Sequence, residues 1–424
     1  MLATLWHYWR ASQRSFADRS ALEAHQQAAF QRHAQRILTK SRYFAPYVGK
    51  PLAEYPLMNK QIMMENFDEM NTAGLSADIL IDCAQRSEES RNFSPTVGKY
   101  SVGLSSGTSG RRGLFVVSPR EQHIWSGAML AKMLPNGLFH GERVALFLRA
   151  NNNLYESVNN RWLSFRFYDL MADFQQQLAQ LAVYQPTIIV APAQVLCAIA
   201  KVCQRQKIRL STKKVISVAE VLQPHDKQFL AQTFSCVAEV YQATEGFLGC
   251  TCAHGTLHLN EAFLHIEPKW LDSHRFSPII TDFTRETQPI IRYQLDDILV
   301  IRTTPCPCGD PQIAIETIEG RCDDQLQLND KTGHPITIFA DPCARLIANQ
   351  LPLTADFRLI QHGSHLTLQG ECNLSQLSEC QHKLMDYFKQ QGADTEILGW
   401  TLQPAMIESH LANKRRRIMR REEA

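Results

Sequence analysis

Three groups of residues in this 424-residue chain have types and spacings that could do chemistry. The first is Ser105-Ser106-Gly107-Thr108-Ser109-Gly110, followed by Arg111 and Arg112. Glycines admit the positive φ angles that turn successive N–H groups toward one point. Hydroxyls add donors, so such a run makes a concavity suited to phosphate. The Walker spacing is not met, because no Lys-Ser or Lys-Thr follows Gly110. Gly103-Leu104-Ser105-Ser106-Gly107 fits the nucleophile elbow of hydrolases literally, but that elbow runs from a strand into a helix. Residues 99–104 and 112–118 both read as strands. A hairpin there argues against a serine nucleophile.

The second group is Cys250, Cys252, His254 and His258 with Cys306 and Cys308. Two closely spaced soft-ligand pairs in a reducing compartment suit tetrahedral Zn²⁺. Cys252, His258, Cys306 and Cys308 are the expected ligands, with Cys250 or His254 as substitutes. Four protein ligands would leave no open position, which makes the ion structural. Ordinary buried thiols are the alternative. The third group is acidic: Glu220 and Glu245 each follow an apolar β-branched run, and Asp296-Asp297 closes a long polar and apolar stretch from Thr281.

The elements that must position these groups read as α/β. Segments 187–191, 214–218 and 237–241 are short apolar strands, and 178–184, 193–205 and 224–233 are helices between or before them. That alternation predicts βαβ units and a parallel sheet, and ligands of such sheets bind beyond the carboxyl ends of the strands. Ala219-Glu220 and Gln242-Ala243-Thr244-Glu245-Gly246 fall at such ends. Residues 2–46 read as helical. A boundary is expected at 320/321, separating a large N-terminal α/β domain (1–320) from a small C-terminal α+β domain (321–424) with strands at 357–361 and 365–369 and a helix at 375–391.

Composition narrows the function. Forty-four Lys+Arg stand against 42 Asp+Glu, a net +2, and residues 413–424 alone carry six basic residues and two acids. The remainder is therefore near −2, which argues against bulk nucleic-acid binding. The densest apolar stretch, 187–202, is broken by Pro192, Gln194 and Lys201, so no membrane span is expected. Met1 to Arg10 lacks the apolar core of a signal peptide, and twelve cysteines are too dilute for a disulfide scaffold. The expected location is the cytoplasm.

The loop at 105–110, Tyr241-Gln-Ala-Thr-Glu245, the run from Thr281 to Asp297 and Gly320-Arg-Cys-Asp-Asp324 occur in an order that resembles the adenylate-forming superfamily. The branch it is most similar to holds the phenylacetate–CoA ligases and the synthetases that adenylylate the deazaflavin coenzyme. Residues 56–72 (PLMNKQIMMENFDEMNT) resemble that branch as well. The resemblance implies a large domain and a small mobile one meeting over ATP. It implies that 105–110 hold the β- and γ-phosphates, that Thr244 contacts the α-phosphate, and that Glu245 binds Mg²⁺. It further implies that Ala219 and Glu220 line the adenine, that Tyr241 stacks on it, and that Asp297 and Arg321 reach the ribose, with Asp296 competing for that role. Asp323 would be the hinge and Lys414 the catalytic lysine, with Arg415 and Arg416 as alternatives. Some relatives in the branch carry a structural zinc.

The implied reaction is adenylation of a small carboxylic acid, expected to be aromatic, with release of pyrophosphate. The acyl group then passes to an acceptor, CoA first, with an amine or a carrier-protein thiol as alternatives. A catalytically silent nucleotide-binding protein of the same fold is the competing reading. The departures are Arg112-Gly113 where the family has Pro-Thr or Pro-Lys, Asn413 in place of the glycine before Lys414, and 148–156 in place of a glycine-rich acyl/thiol segment. Asn151 to Asn153, Tyr155 and Trp162 are the expected acid pocket. Neither a nucleic-acid nor a membrane partner is expected, and the oligomeric state is left open, a homodimer among the options.

Overall fold

The computed structural model describes residues 2–90, 95–104, 113–134, 137–148, 163–170, 172–205, 208–321, 325–352, 355–405, 407 and 416–421. In chain order the large domain contains α1 (Leu2–Ser12), α2 (Arg19–Arg36), α3 (Lys60–Glu65), α4 (Phe67–Met70) and α5 (Ala77–Ser90). A hairpin unit follows, β1 (Thr96–Val97), β2 (Tyr100–Leu104) and β3 (Leu114–Val117), and then α6 (Pro119–Met133). The alternating section is β4 (Glu142–Leu148), β5 (Leu163–Asp169), α7 (Phe174–Tyr184), β6 (Ile188–Ala191), α8 (Ala193–Gln204), β7 (Lys214–Ser217), α9 (Pro224–Ala231) and β8 (Val237–Ala243). An antiparallel section completes the domain: β9 (Gly246–Thr251), β10 (Leu257–Leu259), β11 (Leu264–Trp270), β12 (Arg275–Asp282), β13 (Ile290–Gln294), β14 (Asp297–Ile301) and β15 (Ala314–Arg321).

One large sheet runs β11-β12-β14-β15-β10-β9-β8-β7-β6-β4-β5, with β13 paired to β12. From β5 through β4, β6 and β7 to β8 the pairing is parallel. The sequence explains the layering. In β4, Val144 and Leu146 face a layer formed by Ala11 of α1 and Ala128, Leu130 and Met133 of α6. Ala145 and Phe147 face the opposite layer, with Leu178 and Leu181 of α7, Leu196 and Ile199 of α8 and Phe229 of α9. Side chains alternate across a strand, so an uninterrupted apolar run is what a strand covered on both faces requires.

At β8 the sheet changes character. β9 turns back antiparallel on β8, with Ala243 opposite Gly246. The YQATE segment thus ends in a tight turn at Thr244-Glu245 rather than leading into a helix. The antiparallel section is covered by the N-terminal arm, where Phe30, Tyr55 and Met58 pack against Phe276, Ile290 and Leu299.

β2 and β3 pair antiparallel, Leu104 opposite Leu114, which is the hairpin expected around 105–112. The segment beyond 325 has its own core. It holds a β16 (Leu326–Asn329) and β17 (Pro335–Ile338) ribbon, α10 (Ala340–Ala348), β18 (Phe357–His362), β19 (His365–Gly370), α11 (Leu374–Gln390), β20 (Gly399–Pro404) and β21 (Ile418–Arg421). Its four-stranded sheet is ordered β20-β19-β18-β21. Among the described residues, no helix is long and apolar enough to cross a membrane.

Candidate functional site

The turn at Thr244-Glu245 is held by one buried arginine. Arg285 Nη1 donates to the carbonyls of Thr244 (3.2 Å) and Glu245 (3.3 Å). Its Nη2 donates to Val116 O (3.3 Å) and Gln288 Oε1 (3.0 Å). Gln288 in turn accepts from Val116 N and donates to Leu114 O, both at 3.0 Å. The main chain of β3 is therefore stitched to the turn through two side chains of the 281–297 run. Glu121, 3% exposed, anchors that run from the other side. It accepts from the Glu286 and Thr287 N–H groups (2.7 and 3.0 Å) and from the Ser118 N–H (2.6 Å) that closes the α6 capping box.

This stitching frames a cleft lined by Lys60, Gly113, Thr244, Glu245, Arg285 and Tyr293, with Met63, Met64 and Leu114 as its apolar side. Burial pushes the Glu245 carboxyl up, opposed by a hydrogen bond from Tyr293; the charge of Asp297 raises it further and that of Lys60 lowers it. A carboxylate at the cleft supplies the oxygen-ligand chemistry that a hard divalent cation takes. A Cβ at Gly246 would sit 2.8 Å from Asp282 Oδ2, so a side chain there would require that carboxylate to shift. Asp282 is fully enclosed and accepts from the Thr284 N–H and hydroxyl (2.7 and 2.6 Å), and burial pushes its carboxyl up to about 6.

Two expected nucleotide contacts meet directly. Tyr241 Oη donates to Asp297 Oδ2 at 2.7 Å. The tyrosine ring is 8% exposed within the core, so what it presents at the surface is the hydroxyl that orients Asp297. Asp296, by contrast, is exposed on the neighbouring turn. Asp297 also interacts with Glu245 electrostatically, which brings the YQATE turn and the end of the 281–297 run to one place. Within that run Arg292 serves elsewhere: its guanidinium pairs with Glu267 (3.0 Å) and caps the Ala53 and Tyr55 carbonyls of the N-terminal arm.

Ala219 adopts φ +64°, a left-handed conformation that costs an L-residue about 1–2 kcal/mol. Strain of this kind persists where the surroundings over-determine it and clusters at ligand clamps. Glu220 beside it accepts from Gln194 Nε2 (2.9 Å) and Gln194 N (3.3 Å), which fixes the segment against α8.

The expected residues Ser105, Ser106, Gly107, Thr108, Ser109 and Gly110 lie outside the described residues, as do Asp323, Lys414, Arg415, Asn151 to Asn153, Tyr155 and Trp162. Their flanks are described: β2 and β3 frame the loop, and Gly113 opens on the cleft. Arg321 is described through its backbone, which pairs with Asp297 across β14 and β15.

Cys252, His258, Cys306 and Cys308 come together with all four ligand atoms within 4.8 Å of one another. Cys252 Sγ lies 3.7 Å from Cys306 Sγ, and Cys308 Sγ lies 3.4 Å from His258 Nε2. Zn–S bonds of about 2.3 Å and a Zn–N bond of about 2.0 Å at tetrahedral angles require separations of about 3.8 and 3.5 Å, so the donor set fits zinc. His258 Nδ1 sits 3.2 Å from Gln312 O; that bond takes the Nδ1 proton and leaves Nε2 free to ligate. The two substitutes fall away. Cys250 is packed in the core with its thiol pushed by burial up to about 11, and His254 is exposed. The cluster stands at the far ends of β9 and β14 from Glu245 and Asp297, about 20 Å at strand spacing. An ion held there would be too distant to touch the cleft.

Sequence reasoning did not assign Arg285, Glu121, Gln288, Tyr293 or Lys60. Arg285, Gln288 and Tyr293 lie inside the 281–297 run and Lys60 inside the 56–72 segment, so the signal was present; Glu121 carried none beyond a capping pattern.

No family model and no curated protein matches the sequence. Solved structures do. The 2-hydroxyisobutyryl-CoA ligase in the postadenylation state, in complex with 2-HIB-AMP, is 13% identical with a TM-score of 0.67, covering 96% of this chain and 89% of that one. The same ligase in the thioesterification state with 2-HIB-AMP and CoA, at 15% identity and 96% and 90% coverage, scores 0.52. A benzoate CoA ligase from Burkholderia xenovorans LB400 is 12% identical with a TM-score of 0.52 over 76% of this chain and 69% of that one. The amide bond synthetase McbA from Marinactinospora thermotolerans is 8% identical with a TM-score of 0.53 over 73% of this chain and 66% of that one.

Proposed function

We propose that this chain, which has the fold of the adenylate-forming acid ligases, adenylates a carboxylic acid with ATP and hands the acyl group to a thiol or amine. The observation that carries the reading is the single cleft in which the Thr244-Glu245 turn, the hairpin bearing 105–110 and, beside Glu245, the Tyr241–Asp297 pair are tied together. Asp297, held by Tyr241, accepts from the ribose diol, since one carboxylate can take two hydroxyl donors. Ala219 and Glu220 present the adenine edge. Thr244 donates to the α-phosphate, and the 105–110 backbone cradles the β- and γ-phosphates. Glu245 holds Mg²⁺, which supplies neutralisation of phosphate charge. The acid carboxylate attacks the α-phosphorus in line, the P–O bond to pyrophosphate breaks, and Lys414 offsets the charge that develops; loss of such a group typically costs about 10²–10³ in rate.

CoA is the proposed acceptor and an aryl acid the proposed substrate. An amine acceptor is the second reading, supported by the likeness to an amide bond synthetase. Zinc at Cys252, His258, Cys306 and Cys308 is proposed as structural. The free cysteines support a reducing, cytoplasmic location. The test is ATP–pyrophosphate exchange with benzoate, anthranilate, phenylacetate and 2-hydroxyisobutyrate. At least one acid should support exchange, and Glu245→Gln should remove it. AMP binding with no exchange from any acid would favour the catalytically silent protein instead.

A further inference from the structure

Arg417 sits in the small domain and spends its guanidinium on the large one. Its Nη1 and Nη2 donate to Asp226 Oδ2 (3.1 Å) and Oδ1 (3.4 Å) in the first turn of α9. Its Nε donates to Asp356 Oδ1 at 2.8 Å, and its face lies 4.9 Å from the centroid of Phe357, both within the small domain. Arg417 is 8% exposed and Asp226 is 3% exposed. His225, beside Asp226 on the same helix, adds a second crossing: its ring centroid is 6.1 Å from that of Phe357.

Both ends of this pair are anchored. The Arg417 carbonyl accepts from Leu359 N at 2.7 Å, and the next residue, Ile418, pairs with Leu359 in the parallel β18–β21 ladder. Asp226 belongs to a helix that begins four residues beyond Glu220. The guanidinium therefore reports the position of the whole small domain against the adenine-side segment. The pair is conditional on both domains: loss of Arg417 leaves Asp226 as a buried charge without its cation, whereas on domain separation Arg417 keeps Asp356 and Asp226 returns to water. The fork geometry also tolerates little rotation, because both N–H groups must face both carboxylate oxygens.

We propose that the Arg417–Asp226 pair is an interdomain latch, with Arg417 as a positioning residue that holds the small domain in the arrangement used for adenylation and parts before the acyl group is passed on. The proposal rests on the adenylation reading for its timing and on the geometry for the latch itself. At equal coverage, this chain superposes better on the postadenylation form of 2-hydroxyisobutyryl-CoA ligase than on its thioesterification form, 0.67 against 0.52. The observed docking thus belongs with the first arrangement.

The test uses the full-length protein and needs no known acid. Small-angle scattering should show a larger radius of gyration for Arg417→Gln and Asp226→Asn than for the parent, and Asp226→Glu should restore the parental value. Hydrogen exchange in 224–231 and 416–421 should rise about tenfold in the first two variants while β4 and β6 stay protected. Unchanged scattering and unchanged exchange would overturn the latch. Should the variants not fold, the parent alone decides: the two segments should exchange with a common opening rate, and independent rates overturn the proposal. Where an acid supports pyrophosphate exchange, the variants should lower its rate about tenfold with the KM for ATP held within about twofold. A parent silent with every acid would sink the adenylation reading and leave the scattering and exchange results to judge the latch.

Discussion

Acid should loosen the frame of the cleft through a residue that touches none of the proposed ligands. His33 lies in the last turn of α2, 5% exposed, with Glu121 nearby and a hydrogen bond to the main chain of Phe283. Burial lowers its pKa from 6.5 to about 4, and the Glu121 charge and the Phe283 bond only partly offset that. The folded chain therefore keeps His33 neutral where the unfolded chain would take up a proton. The stability this confers is fully present above pH 6.5 and is lost as pH falls through about 4. The difference of 2.5 between those values is worth about 3 kcal/mol at 1.36 kcal/mol for each. Loss is directed at the turn after β12, which carries Asp282 and Arg285, so the cleft should open first.

The assay compares urea unfolding of the parent and His33→Gln from pH 7.5 down to 4, with hydrogen exchange at 282–288 as the local readout. Other carboxylates titrate in this range, but they contribute equally to both proteins and cancel in the difference. The parent's advantage over the variant should shrink by about 3 kcal/mol across the window, and the variant's exchange at 282–288 should be the less pH-sensitive. A gap that stays constant to within about 0.5 kcal/mol would refute the reasoning, since it would mean that His33 carries the same proton count folded and unfolded.

Tyr241→Phe removes the donor that orients Asp297, so AMP affinity measured by calorimetry should fall about tenfold, the value of one hydrogen bond to a charged group. Gly249→Ala would place a Cβ 2.7 Å from the His258 carbonyl oxygen, a backbone atom of the paired strand that cannot yield without disturbing the ladder. It should cost about 1–3 kcal/mol in thermal unfolding and weaken zinc retention together. The parent, purified without chelator, should carry one zinc, with X-ray absorption showing three sulfurs at about 2.3 Å and one nitrogen at about 2.0 Å. Cys306→Ser should bring the zinc content below about a tenth of an equivalent, and a parent already at that level would remove the metal site.

Much of the architecture was legible in local residue types. The apolar runs of β6, β7 and β8 alternate with α8 and α9 because a strand covered on both faces must be apolar throughout, and that pattern is one-dimensional. The hairpin around 105–112 followed from two flanking runs, which was enough to set the serine nucleophile aside. The grouping of Cys252, His258, Cys306 and Cys308 was legible because soft ligands in close pairs are uncommon in a chain this dilute in cysteine. What the tertiary structure decided was choice and convergence. Between Cys250 and Cys252 the deciding fact is where β9 stops: Cys250 lies within the strand and packs in the core, whereas Cys252 lies just past its last residue, Thr251, against Cys306. Of Asp296 and Asp297 it is the second that meets the Tyr241 hydroxyl, more than fifty residues away in sequence. Arg285, Glu121 and His33 become meaningful only when α2, α6, β3 and the turn after β12 are brought side by side. Buried polar groups must find partners, and which partner lies within about 3 Å is a property of packing that no local pattern encodes.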